Sequence, residues 1–452
     1  MSLFIDTIIK YERPLPRYTS YPTVPFWDVE HFDAEKALGM LKRSMLTKPD
    51  VSIYIHLPYC ESLCTFCGCN RRITKNHAVE QPYIDAVLEE WRLYLLKMPQ
   101  PPVITHIHLG GGTPTFFSPS ELKRLIDGIV RRHKLSPNYE FSIEVHPNTC
   151  TYEHIDVLSD LGFRRISVGI QDFDPRVQFI INRNQTFEKT QDIIEYARSK
   201  GFTGVNVDLV YGLPMQTLDS VALTMDKIAK LKPDRIAYYA YAHVPWKSKA
   251  QRRYTEADLP SAREKIQMFL LARDRLQQLG YEQIAMDHFA LPNDSMTKAW
   301  RDQSLHRNFM GYTTDLTPLL IGLGASSISD FNGNYTQNYK EVEKYLDEIK
   351  AGKLPIERGH LSSEMDNLIR AHIMQVMCEG KVKIPANALS GEHFEFIDSQ
   401  IKQFLTDGIL TWENESLQVT ELGQILLRNV ASIFDTYLFY RGLTEKMFSK
   451  SV

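Results

Sequence analysis

Cysteine is scarce in this chain, six residues in 452. Thiols that sparse exclude the disulfide framework of a small secreted scaffold. Long hydrophobic runs are absent as well: no stretch approaches the roughly 18 apolar residues that a membrane helix needs. The N-terminus, MSLFIDTIIKYERPLPRYTSYPT, has neither a long apolar centre nor a small-residue cleavage site, so it does not read as a signal peptide. Neither sign of charge dominates. Lys and Arg total 52 against 55 Asp and Glu, a net charge of −3, which asks for neither nucleic acid nor an acidic membrane surface. Low-complexity segments are missing too. What remains is an ordinary globular composition, 43% apolar, long enough for two or three domains or for one large barrel with additions. Reduced thiols without a signal point to the cytoplasm.

Four of the six cysteines stand together in YIHLPYCESLCTFCGCN. Cys60, Cys64 and Cys67 have the spacing C-x3-C-x2-C, and Cys69 follows two residues on. Thiols this close cannot share one face of a helix or strand. They read as a loop around a soft metal centre, because thiolate is the ligand of iron–sulfur clusters, zinc and copper(I). Three ligands on a four-iron cluster leave one iron open, and an open iron can hold a substrate. The spacing resembles that of radical S-adenosylmethionine (SAM) enzymes. The alternative is a closed zinc loop using all four thiols, with His56 and His77 nearby. Zinc sites usually draw on two separated pairs, whereas these four fall within one short stretch.

From about residue 50 to 245, short β-rich runs alternate with amphipathic stretches. Strands are expected at 52–57, 104–110, 140–146, 165–171, 204–212 and 235–242. Gly162 and Gly201 sit where helix C-caps want them. The strands read as near-continuously apolar, as parallel strands covered by helices should. Unusual residues gather after them: the cysteine loop, GGGTPT (110–115), Glu144 and His146, Gln171 and Asp172, Asp208, and His243. Parallel barrels put their active sites at these strand ends. The expected fold is therefore α/β, a partial (β/α)6 barrel, rather than a doubly wound open sheet. Residues 1–50 would precede the barrel as an N-terminal segment; residues 51–345 would form the barrel and its extension. Residues 346–452 would form a mostly helical domain whose hairpin, 408–423, resembles a winged helix. Acidic residues at the tip, Glu413-Asn414-Glu415, argue against DNA there.

GGGTPT is neither a P-loop nor a dinucleotide fingerprint. Its glycines could admit a ligand close to the backbone, or simply make a tight turn. Glu144 could bind SAM or pair with an arginine. Asp208 and Arg183 could grip a second zwitterion or pair with each other. Tyr54, His56 and His243 are either site residues or hydrogen-bonded core.

RYTSYPT (17–23), the cysteine loop, GGGTPT, SIEVHP, GIQDF, NVDLVYGLP, YAHVP, MDHFA, LHRNFMGYTT and FDTYL together make the chain similar to the oxygen-independent coproporphyrinogen III oxidases over nearly its whole length. That resemblance implies that the N-terminal segment closes the barrel mouth, and one 4Fe–4S cluster on Cys60, Cys64 and Cys67, with Cys69 needed but not a ligand. It implies two SAM molecules, the first touching Tyr54, Gly111, Glu144 and Ile328. The second would touch Gly112, Thr113, Gln171, Arg183, Asp208 and Ala242. Cys69, His56, Arg17, Phe309 and Met310 become the candidates for chemistry and substrate handling; Met310 stands where the family pattern has Gln. The implied activity is radical decarboxylation of two propionates of coproporphyrinogen III to vinyl groups, giving protoporphyrinogen IX for haem. A reducing donor such as a flavodoxin would feed a monomer. The rivals are a related radical enzyme acting on haem or another tetrapyrrole, and a non-catalytic haem-trafficking protein.

Overall fold

Seven parallel strands form the centre of the computed structural model, which describes residues 2–382, 391–413, 416–442 and 447–450. Six lie where the sequence places them: β1 Asp50–Leu57, β2 Val103–Gly111, β3 Lys134–Val145, β4 Arg165–Gln171, β5 Gly204–Tyr211 and β6 Arg235–Ala240. β3 starts earlier than expected because Lys134 and Leu135 pair with Val103 and Ile104 at the sheet's lower edge. The seventh, β7 (Leu319–Leu323), pairs parallel to β1 on the far side and was hidden in the glycine-rich run 321–329. Gly322 is small there for packing: a Cβ would stand 2.5 Å from the Ile328 carbonyl oxygen. Antiparallel strands extend both ends of the row, so it curls without pairing its edges.

Helices cover the outside, and their caps are written in the sequence. Ser118, Thr151, Thr186, Thr217 and Ser261 each accept a backbone N–H at a helix start. Gly162 and Gly201, at φ +90° and +88°, end helices as expected. The strands are not uniformly apolar. Ile53, Ile107 and Phe141 share one register across β1–β3 on the buried side. The alternate residues His106, His108, Ser142, Glu144, Ser167, Asn206 and Asp208 line the interior. The barrel therefore holds a polar cavity in place of the filled apolar layers of a closed barrel.

The two chain ends meet over the mouth. Tyr18 donates to Asp435 (3.1 Å), and the Tyr21 and Thr436 hydroxyls share a bond of 2.7 Å. Arg428 donates to the carbonyls of Leu15, Pro16 (2.9 Å), Ser449 (3.2 Å) and Lys450 (2.9 Å). The RYTSYPT and FDTYL motifs are thus two halves of one clasp. In the C-terminal part, Leu410–Glu413 and Ser416–Val419 form the expected hairpin, with Lys381–Val382 as a third strand. Asn414 and Glu415 of its tip lie outside the described residues. Among the described residues no helix is long and apolar enough to cross a membrane.

Candidate active site

A cavity of about 1330 Å3 opens at the C-terminal ends of the parallel strands. Cys60, Cys64, Cys67 and Cys69 line it, as do Gly111, Gly112, Thr113, Glu144, Gln171, Arg183, Asp208, Ala242, Arg17 and Met310. Residues from six strand ends and both termini are thereby brought to one space.

Each of the three spaced thiols receives one donor from a different element. The Thr113 hydroxyl donates to Cys60 Sγ (3.2 Å), Arg183 Nη1 to Cys64 Sγ (3.6 Å), and the Cys69 N–H to Cys67 Sγ (3.4 Å). Donors aimed at sulfur favour thiolate and tune the potential of a sulfur-bound centre. Burial pushes the Cys60 thiol up to about 11, and its two neighbours Cys67 and Cys64 add to the rise. Cys67 is pulled down by its contact with Cys69, and Cys69 is correspondingly pushed up. The thiols thus feel one another. Among the described residues, however, no set of three His, Cys, Asp or Glu side chains is arranged for a metal ion. Thiolates around one zinc would each stand about 2.3 Å from it. One donor per sulfur, each from a different place in the fold, suits thiols that ligate separate irons of a cluster. The donor set fits a 4Fe–4S group held by Cys60, Cys64 and Cys67.

The glycine turn is tight because protein fills the space around it. A Cβ on Gly111 (φ +115°) would meet the His56 ring at 2.8 Å, and one on Gly112 would meet Pro58 at 2.7 Å. A Cβ on Gly110 would lie 3.0 Å from Glu144 Oε1. Glu144 has no arginine partner: His108 Nε2 stands 3.3 Å away and the Gly111 N–H donates at 3.3 Å. Nor do Asp208 and Arg183 pair with each other. Asp208 accepts from Ser167 (2.8 Å) and Asn206 (2.9 Å), while Arg183 also donates to the Gly169 carbonyl (2.6 Å). Burial, then the charge of Glu144, lifts Asp208 to about 6.

Tyr54, His56, His243, Phe309 and Ile328, all candidates from the sequence, do not line the cavity. His56 lies behind the cysteine loop; its Nδ1 meets the Tyr54 hydroxyl (3.0 Å) and its Nε2 the Asn70 carbonyl (2.8 Å). It anchors the loop's far end to β1, and burial lowers its pKa. Tyr54 stacks on His108, with ring centroids 5.9 Å apart. Phe309 packs edge-on against Trp27 and Tyr335, at 6.2 and 5.6 Å. Ile328 presents its backbone to Gly322. His243 is held by the Tyr241 hydroxyl at 3.0 Å.

Sequence reading missed several lining residues. His106 and His108 alternate inward along ITHIHLG, a signal that was there. Arg71 follows the thiol loop and donates to the Cys69 carbonyl (2.8 Å). Lys340, Arg358 and residues 447–449 come from segments with no local motif. Cations around the mouth, among them Arg17, Arg71 and Lys340, have no carboxylate partner within the described ion pairs, whereas the deeper Asp315 is paired with His106 (3.1 Å).

Residues 54–228 match the radical SAM superfamily model. The oxygen-independent coproporphyrinogen III oxidase of Pseudomonas aeruginosa is 36% identical over 99% of this chain and 98% of its own. Coproporphyrinogen III oxidase, anaerobic 1, of Cereibacter sphaeroides is 38% identical, covering 94% of this chain and 95% of its own. The structure of coproporphyrinogen III oxidase (HemN) from Escherichia coli, described as a radical SAM enzyme, superposes with a TM-score of 0.87. It is 34% identical, over 95% of this chain and 98% of that one.

Proposed function

The chain belongs to the oxygen-independent coproporphyrinogen III oxidase family, a branch of the radical SAM superfamily, and from that premise we propose how its cavity works. The reaction is oxidative decarboxylation of two propionates of coproporphyrinogen III to vinyl groups, giving protoporphyrinogen IX. One observation carries the reading. Three donor-supported thiols, the carboxylates of Glu144 and Asp208, and cations outside the described ion pairs converge on a single cavity of about 1330 Å3.

When bound, a 4Fe–4S cluster with SAM supplies one-electron reductive cleavage and a carbon radical able to take hydrogen from an unactivated C–H bond. Cys60, Cys64 and Cys67 would hold the cluster. Gly111 and Glu144, on one side, offer an N–H and a carboxylate to one SAM. Gln171, Arg183, Asp208 and Ala242, further round, suit a second. Tyr54 and Ile328 support the first site from behind, by packing. Cys69 lines the cavity beside Cys67 and is assigned to substrate turnover and not to holding the cluster. Arg17 reaches into the cavity with a single long bond to the Ala240 carbonyl (3.4 Å), leaving its guanidinium for a propionate. Met310 gives an apolar contact for the macrocycle. His56 and Phe309 act by positioning. The clasp of the two chain ends excludes water, which a primary radical requires. The chain acts in this reading as a monomer, reduced by an electron donor protein.

Two measurements on the anaerobically reconstituted protein test this. Saturating titration should find two SAM per chain; one would remove the second site. Coproporphyrinogen III, and not haem, should drive SAM consumption beyond the uncoupled rate. The reverse preference would assign the cavity to haem modification.

A further inference from the structure

The cysteine loop has an inner face on the cavity and an outer backbone gripped by protein. Beyond β6, a strap of residues 244–254 holds it. Ser248 Oγ donates to the Cys67 carbonyl (3.2 Å), Gln251 Nε2 to that of Phe66 (3.0 Å), and the Tyr254 hydroxyl to that of Thr65 (3.4 Å). On the other flank, Asn182 Nδ2 donates to the Leu63 carbonyl at 2.8 Å. The strap is strongly basic: Lys247, Lys249, Arg252 and Arg253 fall within KSKAQRR, with no acid among them. Lys249, Arg252 and Arg253 are exposed. Arg252 donates to the Pro245 carbonyl (3.1 Å), and Arg253 lies over the Phe179 ring at 5.6 Å. None of the three is in an ion pair within the described residues. Phe179 is 64% exposed and Trp246 42%, so the patch joins unpaired positive charge to exposed aromatic surface.

Unpaired cations and apolar rings on one exposed face suit a transient partner of opposite charge, because steering needs net potential and a small interface needs a few apolar anchors. The place is as telling as the charge. The strap touches the loop backbone at Thr65, Phe66 and Cys67, between and beside the thiol positions, while the cavity side is left to the substrate proposed above. Resting on the function proposed above, we infer that residues 246–253 with Phe179 form the docking site for an acidic one-electron carrier protein. One electron leaves the reduced carrier and enters the group held by the cysteine loop; no atom moves with it.

The test uses the full, anaerobically loaded chain, an acidic flavodoxin as carrier, and dithionite as a small reductant needing no docking. The variants are Lys249→Glu, whose side chain has no hydrogen bond or ion pair among the described residues, and the triple K249E/R252E/R253E; none of these positions lines the cavity. Calorimetric binding of flavodoxin should weaken with rising salt, and by about tenfold or more in the triple variant, with and without the cluster. Reduction by flavodoxin should slow in step, while dithionite supports SAM cleavage at the wild-type rate. Unchanged flavodoxin binding and reduction in the triple variant, beside normal cleavage with dithionite, would overturn the proposal alone. Wild-type chain that ignores flavodoxin but binds anionic phospholipid vesicles would overturn it too, in favour of a membrane surface. Failure of the wild type to cleave SAM with dithionite would remove the function reading, and the proposal with it.

Discussion

Glu90 shows how far one buried residue can reach. Its carboxyl accepts from the Gly324 N–H (2.8 Å), Asn338 Nδ2 (2.6 Å) and the Tyr345 hydroxyl (2.8 Å), fixing the turn after β7. Burial outweighs those donors and lifts it to about 8. An unfolded Glu ionises near about 4.3, so between these values the folded chain binds the extra proton and stability falls as pH rises. Glu90→Gln removes the titration. Between about pH 6 and about pH 8 the wild type should lose stability relative to the variant by up to about 1.4 kcal/mol per pH unit. Thermal midpoints that fall in parallel would contradict this. Arg17 is the matching test for substrate. Its carbonyl accepts from Arg307 (3.2 Å), so its backbone stays held when its side chain is cut. Arg17→Ala should lower turnover about tenfold or more and leave SAM binding intact. Met310→Gln should keep the activity.

Among elements, the cysteine loop carries the sharpest contrast. Replacing Cys60, Cys64 or Cys67 by Ala should abolish cluster binding, read by iron content and absorbance. Cys69→Ser should retain the cluster and lose product; cluster loss there would make Cys69 a ligand. The turn after β7 is equally exacting. Gly324 has φ +92°, and a Cβ would stand 2.4 Å from the His56 carbonyl oxygen. Gly324→Ala should cost about 2 kcal/mol or more by overpacking and backbone strain, measurable as a lowered urea midpoint. These elements differ in how openly the sequence declared them. The thiol spacing, the caps and the six strand ends are local patterns, so they could be read directly. β7 could not, because its glycines answer to a neighbour's backbone and look like a turn. His56 and Phe309 were placed in the site by their motifs, yet the residues at hydrogen-bond or ring distance turn them to support. A motif names the neighbourhood, and only packing tells which side of it faces the cavity.

At the scale of the whole molecule, the cavity depends on joining distant parts of the chain. Arg428 binds carbonyls near both ends, and burial with the nearby charge of Arg17 lowers it to about 9. Arg428→Met should free both ends and speed proteolysis before residue 30, with the barrel intact. No sequence periodicity could announce that clasp, since its partners are some 400 residues apart, as Arg428 and Pro16 are. The resemblance picked out RYTSYPT and FDTYL as separate motifs, and only the fold joins them into one device. The central claim is that this cavity removes hydrogen from a substrate propionate. Its most direct test is anaerobic turnover of coproporphyrinogen III deuterated at the propionate β-carbons, with mass analysis of both products. The account predicts protoporphyrinogen IX and deuterium carried into 5′-deoxyadenosine. Unlabelled 5′-deoxyadenosine beside vinyl product, or an intact porphyrinogen beside cleaved SAM, would contradict it.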